Sequence, residues 1–243
     1  FERFLFVFLI VGALILFVPV LGSRQVPASM KIGLILFTSI VIFPLVQARP
    51  LPEPQGIFDL AVFLLSDVTI GLGIAYITRL IFAAVQIAGT VVDFQMGFGV
   101  VNVDTQVSVT AQFHNIVAVL IFLAVDAHHF ILQAIVESFF IINPAEINFS
   151  SLTPEYMLYL FSGTFTTAVK IAAPIMAILF FLSVGLGLVA RTVPQMNVFI
   201  VGFPLQIGVG LLMVGLSLSF FTVLVQQQMY DLPGKFMGFL WAL

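Results

Sequence analysis

Cysteine is absent from this 243-residue chain, and charged residues make up only 8% of it. The first absence excludes disulfide bonds, a thiol nucleophile and thiolate metal sites. The second sets the chain apart from soluble domains, in which about 25% of residues are charged. The 8 basic and 11 acidic residues are spread along the sequence without a basic run, so we expect no nucleic-acid partner.

Motifs of the common enzyme active sites are also missing. The sequence contains no Walker loop, no HExxH pair and no GxSxG turn, and the glycines within residues 97–102 lack the third glycine of a dinucleotide-binding loop. We therefore expect a protein that is not an enzyme and that uses no cofactor.

Three potential metal ligands stand together at Asp126, His128 and His129, with Glu137 further along. A zinc site needs three or four converging ligands, whereas adjacent side chains on a helix point about 100° apart. The sequence therefore favours a polar cluster at a helix end over a metal site. A proton relay through His128 remains an alternative.

Apolar residues dominate the rest of the composition: 61% of the chain is hydrophobic, and its mean hydropathy is +1.22. A helix needs about 20 apolar residues to cross a bilayer. Apolar segments cover about residues 4–21, 32–46, 57–92, 113–142, 154–189 and 203–225. We predict an all-α membrane protein of about six kinked helices in hairpins. The first segment resembles a signal-peptide core, but a second apolar run follows at once, which favours a retained helix.

Charged residues lie within the apolar segments, and those far from the segment ends include Asp67, Arg79 and Lys170. Charges within the membrane usually face the interior of a helix bundle or a water path. Long side chains near helix ends can instead extend to the interface, and both interpretations stay open for these residues. Gly71 and Gly73 are small enough to let a neighbouring helix approach closely.

A longer interruption occupies residues 93–112, where two glycines bracket Phe98 and β-branched residues alternate with polar ones. We predict that the helix ends here and that a long loop follows. Long loops in compact proteins usually have a function. A solvent-exposed hairpin is one interpretation. A loop facing a pore is favoured, because irregular backbone at membrane depth normally lines a cavity. The expected pore-facing residues are Gln95, Met96, Gly97, Phe98, Gly99, Val100 and Val101.

The string ARTVPQMNVFIVGFP, residues 190–204, lies in a stretch from Ile171 to Tyr230 whose single charged residue is Arg191. Proline lacks a backbone donor and disfavours helix in the residue before it, and lipid cannot satisfy side-chain amides. We predict a turn or break enclosed by protein or water. A secondary transporter would bind a solute at such broken helices, but the two halves of the chain show no repeat of the kind that transporters have.

Four stretches together resemble the FliR family of flagellar export proteins, whose injectisome counterpart is SctT. They are residues 22–34, 83–99 and 126–132 and, most specific of all, LGLVARTVPQMNVFIVGFPLQIGVG at residues 186–210. The resemblance covers nearly the whole chain.

This resemblance implies a core subunit of the type III export gate, assembled with FliP and FliQ and contacting FlhB. Unfolded substrates would cross the bacterial inner membrane through its closed channel, at the flagellar basal body and raised towards the periplasm. Residues 1–150 would be a FliP-like part whose 95–107 loop plugs the lumen, and residues 151–243 a FliQ-like helical hairpin with a C-terminal tail. The break would pack against neighbouring subunits through Arg191, Pro194, Gln195, Asn197, Phe199, Gly202 and Pro204. A purely structural assembly role is a further alternative.

Overall fold

The computed structural model describes residues 2–19, 22, 26–47, 56–98, 108–142, 152–193 and 197–243. Within these ranges every regular element is an α-helix, which confirms the predicted all-α class. The helices are α1 (Glu2–Phe17), α2 (Ala28–Gln47), α3 (Ile57–Met96), α4 (Val109–Ala124), α5 (Ala127–Ile141), α6 (Leu152–Thr192), α7 (Val198–Tyr230) and α8 (Leu232–Ala242).

Four stretches of the described chain are long and apolar enough to cross a membrane. They are Ala28–Val46, Ile57–Met96, Thr153–Thr192 and Ile200–Ala242. Helices α4 and α5 add a fifth if they count as one span, although the chain bends by 64° between them. The expectation of six comparable segments is therefore too simple: α1 has 16 residues, fewer than a straight span needs, and the fourth segment is broken.

Contacts between Cα atoms divide the chain into two compact units. The first contains Phe1–Ile81, Phe122–Phe161 and Met229–Leu243, and the second contains Phe82–Ile121 and Ser162–Gln228. This division groups residues by contact. The predicted FliP-like and FliQ-like parts describe likeness to other proteins and stay a prediction.

In the first unit, α1 packs against α2, and α5 packs against both α2 and α8. Residues Val7, Ile10, Val11 and Leu14 of α1 are at most 2% exposed. The predicted close approaches at the small residues of α3 are confirmed, because a β-carbon on Gly71 would overlap the backbone of Ile10, and one on Gly73 would overlap the ring of Phe239.

The start of α6 also belongs to the first unit, where it is fastened to α8. Tyr156 donates a hydrogen bond of 3.0 Å to the carbonyl of Lys235, and Thr153 donates one to the carbonyl of Ala242. The helix begins at Leu152, so Thr153 lies within its first turn, and its hydroxyl bonds the C-terminal helix. Pro174 lies inside α6, which continues through it to Thr192.

The second unit is built from the last part of α3, most of α4, and the long runs of α6 and α7. Its buried apolar residues come from all four helices. They include Val85, Met96, Ala111, Ala118, Leu179 and Phe221. This unit contains the ends of both sequence interruptions, the 93–112 stretch and the 190–204 string.

Candidate functional site: the base of a loop and a helix break

Helix α3 ends at a glycine, four residues later than the sequence pattern predicts. The helix continues through Met96, and Gly97 follows with a φ of 85°. Glycine adopts this left-handed conformation without a steric penalty and therefore often terminates helices. The Gly97 N–H donates to the carbonyl of Phe94 at 3.2 Å. The predicted end near Val92 is wrong because the stop signal is Gly97, not the polar Asp93.

Asp93 instead ties the two sides of the following loop together, and we call this arrangement the loop base. Its carboxylate, only 4% exposed, accepts a 2.5 Å hydrogen bond from the Ser108 hydroxyl and one of 3.1 Å from the Thr110 N–H. The Ser108 oxygen in turn accepts the Ala111 N–H at 3.1 Å. Ser108 is thus the N-cap of α4, and a negative side chain lies where the first turn of the helix favours it.

His114 extends the loop base one turn further along α4. Its Nδ1–H donates to the carbonyl of Thr110 at 2.8 Å, which fixes the ring tautomer. The ring is 2% exposed and meets Phe221 of α7 edge-on, with ring centroids 4.7 Å apart. The start of α4 is therefore held from both sides, by α3 through Asp93 and by α7 through His114.

Close helix packing around the loop base depends on three glycines. A β-carbon on Gly89 of α3 would overlap the backbone of Ala111 in α4. A β-carbon on Gly210 of α7 would overlap the sulfur of Met96, and one on Gly97 would overlap the ring of Phe203. The end of α3 is therefore in direct contact with both α4 and α7.

The residues predicted to face a pore do not all lie in the same part of the structure. Gln95 and Met96 belong to the last turn of α3, and Met96 is fully buried against α7. The Gln95 Oε1 is buried without a hydrogen-bond partner among the described residues. Gly97 and Phe98 follow the helix, while Gly99, Val100 and Val101 lie outside the described residues.

The break in the 190–204 string lies between α6 and α7, as predicted, and its borders are defined by side chains. Thr192, the last residue of α6, donates to the carbonyl of Val189 at 3.0 Å. Asn197 precedes α7, and its side-chain oxygen accepts the Ile200 N–H at 3.4 Å. This weak N-cap bond gives the Asn197 amide a local role at the end of the helix.

The other break residues have different environments. Arg191 is exposed, Gly202 is buried, and Pro204 is exposed. Pro194 and Gln195, as well as the side chain of Phe199, lie outside the described part. Including Pro204 in the break is wrong, because it lies inside α7. Continuing the helix loses only the hydrogen bond to the Ile200 carbonyl, whereas a second break would leave several backbone groups unpaired in apolar surroundings.

A polar contact joins the two helices on either side of the break. Gln206 of α7 donates from Nε2 to the Ser183 hydroxyl of α6 at 3.1 Å, and Ser183 donates to the carbonyl of Leu179 at 2.9 Å. Side-chain hydrogen bonds between membrane helices stabilise their association by about 0.6–2 kcal/mol. This contact supports an α6–α7 hairpin.

The three charged residues that are candidates for burial separate into two groups. Asp67 is 2% exposed, and its Oδ2 has no hydrogen-bond partner in the described part of the chain. Arg79 and Lys170 are exposed on the single chain, so neither is buried within the subunit. Their side chains point outward from helices long enough to cross a membrane.

The Asp126 cluster departs from the expectation that adjacent histidines diverge. The rings of His128 and His129 have centroids 4.2 Å apart. One potential ligand atom from each of Asp126, His128 and His129 lies within 4.8 Å of the others. The structure brings together residues that the helical angle alone separates.

Sequence reasoning did not single out Asp93, Ser108, Thr110 or His114. A signal was present for Ser108, since a serine immediately before an apolar helical run is a preferred N-cap. The same signal identifies Asn197, which precedes Val198. No local pattern reveals that Asp93 reaches Thr110, because that contact needs the crossing of α3 and α4 at Gly89.

Comparison with known proteins gives consistent matches. Residues 1–232 match the family described as "Bacterial export proteins, family 1". The flagellar biosynthetic protein FliR of Bacillus subtilis (strain 168) is 37% identical over 235 residues, which cover 93% of this chain and 90% of that protein. FliR of Aquifex aeolicus (strain VF5) is 31% identical over 88% of this chain and 84% of its own length. The Yop proteins translocation protein T of Yersinia pestis is 25% identical over 77% and 75%, respectively.

Proposed function

Since the chain belongs to the bacterial export proteins of family 1, we propose that it forms, with FliP and FliQ and in contact with FlhB, the closed channel of the flagellar export gate. Unfolded substrates would cross the inner membrane through this channel. The coarser conclusion follows from the family: the chain is a membrane subunit of the flagellar or type III export apparatus. Its place in the basal body, raised towards the periplasm, is part of the proposal.

The loop base supports this function most directly. Asp93 binds both Ser108 and Thr110, so the ends of the intervening loop are held on two packed helices. A plug must resist the pressure of a passing chain and return to one place, and a loop with fixed ends meets this requirement. Apolar residues at a constriction can also block ions by dewetting.

The buried Met96 refines the role of the predicted plug residues. Because Met96 and Gln95 belong to α3, we assign them to anchoring and assign the obstruction itself to Phe98 and the residues that follow. Methionine fills irregular space well and tolerates small shifts of its neighbours. The Met96 side chain against Gly210 would then transmit a displacement of the loop to α7.

The break at residues 193–197 supports the gate over a secondary transporter. Asn197 is engaged as the N-cap of its own helix, and Gln206 is bonded to Ser183. These amides therefore stabilise an α6–α7 hairpin. A solute site at broken helices would need polar groups that face the solute.

Deletion of residues 99–103 tests the plug while leaving Gly97 and the Asp93 contacts in place. We expect cells that carry this deletion to assemble the export complex but to leak protons and small ions, measured with a pH-sensitive dye in membrane vesicles. The matched control is a five-residue deletion at 144–148, in the connection before α6. An ion-tight membrane with a fully assembled complex would contradict the plug.

A further inference from the structure

A cluster of metal-ligating side chains lies where α4 gives way to α5, outside the loop base and the helix break. His129 Nδ1 is 3.8 Å from Asp126 Oδ1, and the His128 ring contacts the His129 ring. One potential ligand atom from each of the three residues lies within 4.8 Å of the other two. In the described part of the chain, no other group of three such residues brings its ligand atoms this close together.

The backbone at Asp126 explains why these side chains meet. Asp126 has a φ of 54° and a ψ of 30°, and the chain bends by 64° at this point. Although Asp126 precedes α5, its side chain makes no capping hydrogen bond to that helix. The carboxylate is directed towards His129 instead.

His128 provides a second, independent observation. Its Nδ1 is buried and has no hydrogen-bond partner among the described residues. A buried polar atom without a partner lowers stability. A neutral imidazole nitrogen of this kind can give its lone pair to a metal ion, and coordination would remove the deficit.

We propose that Asp126, His128 and His129 bind a divalent transition-metal ion of the Zn²⁺ class. Two imidazoles and one carboxylate form a donor set that suits zinc, and three protein ligands leave a further position for water or for a side chain of a neighbouring subunit. Ligand atoms around zinc are roughly 3.3 Å apart when the bonds are about 2.0 Å long. The side chains of His129 and Asp126 are 66% and 68% exposed, so rotation about their side-chain bonds can close the remaining distance.

The exposure of two ligands makes this an exchangeable site. Structural zinc sites are closed by four protein ligands, whereas this one has three and an open side. We therefore expect zinc to be removed by a chelator without unfolding the chain. A metal at this position would hold the bend between α4 and α5.

Zinc titration of the chain, purified in mild detergent with an affinity tag that contains no histidine, tests the proposal. We expect one Zn²⁺ per chain and, with Co²⁺ as a spectroscopic probe, the visible bands of a site with nitrogen and oxygen ligands. Changing an outer partner of a metal ligand lowers affinity by about 10–100-fold, so His129→Gln and Asp126→Asn should each lower it by more than about 100-fold. Of the three histidines in the chain, the third is the buried His114, and it should not contribute.

Gln133→Ala is the matched control, since Gln133 lies on α5 and bonds Glu137 outside the cluster. It should bind zinc as the unaltered chain does. Asp126→Asn also guards against misfolding, because asparagine tolerates the left-handed conformation that Asp126 adopts. Equal zinc affinity in all variants, or no stoichiometric binding by the unaltered chain, would overturn the proposal.

Discussion

Single side chains at the loop base contact residues that are far away in the sequence. Asp93 interacts with residues 15 and 17 positions later. From the sequence alone, a carboxylate next to an apolar helix predicts the start of a loop. Its actual role is to accept the Thr110 N–H and the Ser108 hydroxyl at the start of α4. Sequence identifies a polar residue at a helix end, but the partner becomes visible only when both helices are in place.

Asp93→Ala should destabilise the chain by about 1–3 kcal/mol, because the Thr110 N–H and the Ser108 hydroxyl lose a buried acceptor. Asp93→Asn keeps one oxygen acceptor and should cost less. The thermal unfolding midpoint in detergent measures both changes. Equal midpoints for Asp93→Ala and the unaltered chain would show that the loop base does not contribute to stability.

Asn197→Ala removes the N-cap of α7 and should lower stability by about 1 kcal/mol. Asn197→Asp retains an oxygen acceptor at the same position and serves as the control. Unfolding by denaturant, followed by circular dichroism, can compare the two. A loss of stability in Asn197→Asp as large as that in Asn197→Ala would contradict the capping role.

At the scale of helices, the sequence predicts breaks better than it predicts the position of their ends. The predicted interruption lies between the end of α6 at Thr192 and the start of α7 at Val198, whereas Pro204 does not cause one. The difference is physical: a helix tolerates one missing hydrogen bond when its alternative is several unpaired backbone groups in an apolar medium. Helix α3 ends at Gly97, against which the ring of Phe203 packs. Phe203 is far away in the sequence, so the local pattern does not reveal this contact.

Gly89→Ala should impair folding, because the new methyl group would overlap the backbone of Ala111, and a backbone cannot move aside as a side chain can. Inserting atoms into a packed contact costs about 1–3 kcal/mol or more. Gly163→Ala in α6 is the matched control, since no atom lies within 4 Å of the new β-carbon. It should be neutral or stabilise its helix by up to about 1 kcal/mol. Yield and unfolding midpoint measure both effects, and similar values for the two variants would contradict the close crossing of α3 and α4.

At the scale of the whole chain, apolar surface outweighs apolar core. Only 22% of an 18-residue apolar stretch of α2 is buried within the chain, and the same fraction applies to such stretches of α6 and of Ile200–Ala242. Composition predicts this all-α membrane class well, because it follows from the scarcity of charge. Composition does not predict that other helices bury α1 in the first unit. A helix covered by protein and a helix covered by lipid both need apolar residues.

Purification in mild detergent can distinguish what covers this surface. We expect a large complex that contains FliP-like and FliQ-like proteins, because exposed apolar surface of this extent marks interaction with other proteins or with lipid. The measurement is mass spectrometry of the intact complex. A small assembly of identical chains would contradict the export gate and favour a transporter.

The contacts of Asp93 with Ser108 and Thr110 also limit how far the proposed plug can reach. A chain extends at most about 3.6 Å per residue, so the ten steps from Phe98 to Ser108 allow a reach of no more than about 18 Å from these contacts. If the proposed plug exists, one copy would obstruct a narrow passage by itself. A passage wider than this reach would need several subunits, each of which contributes an obstruction from its own side.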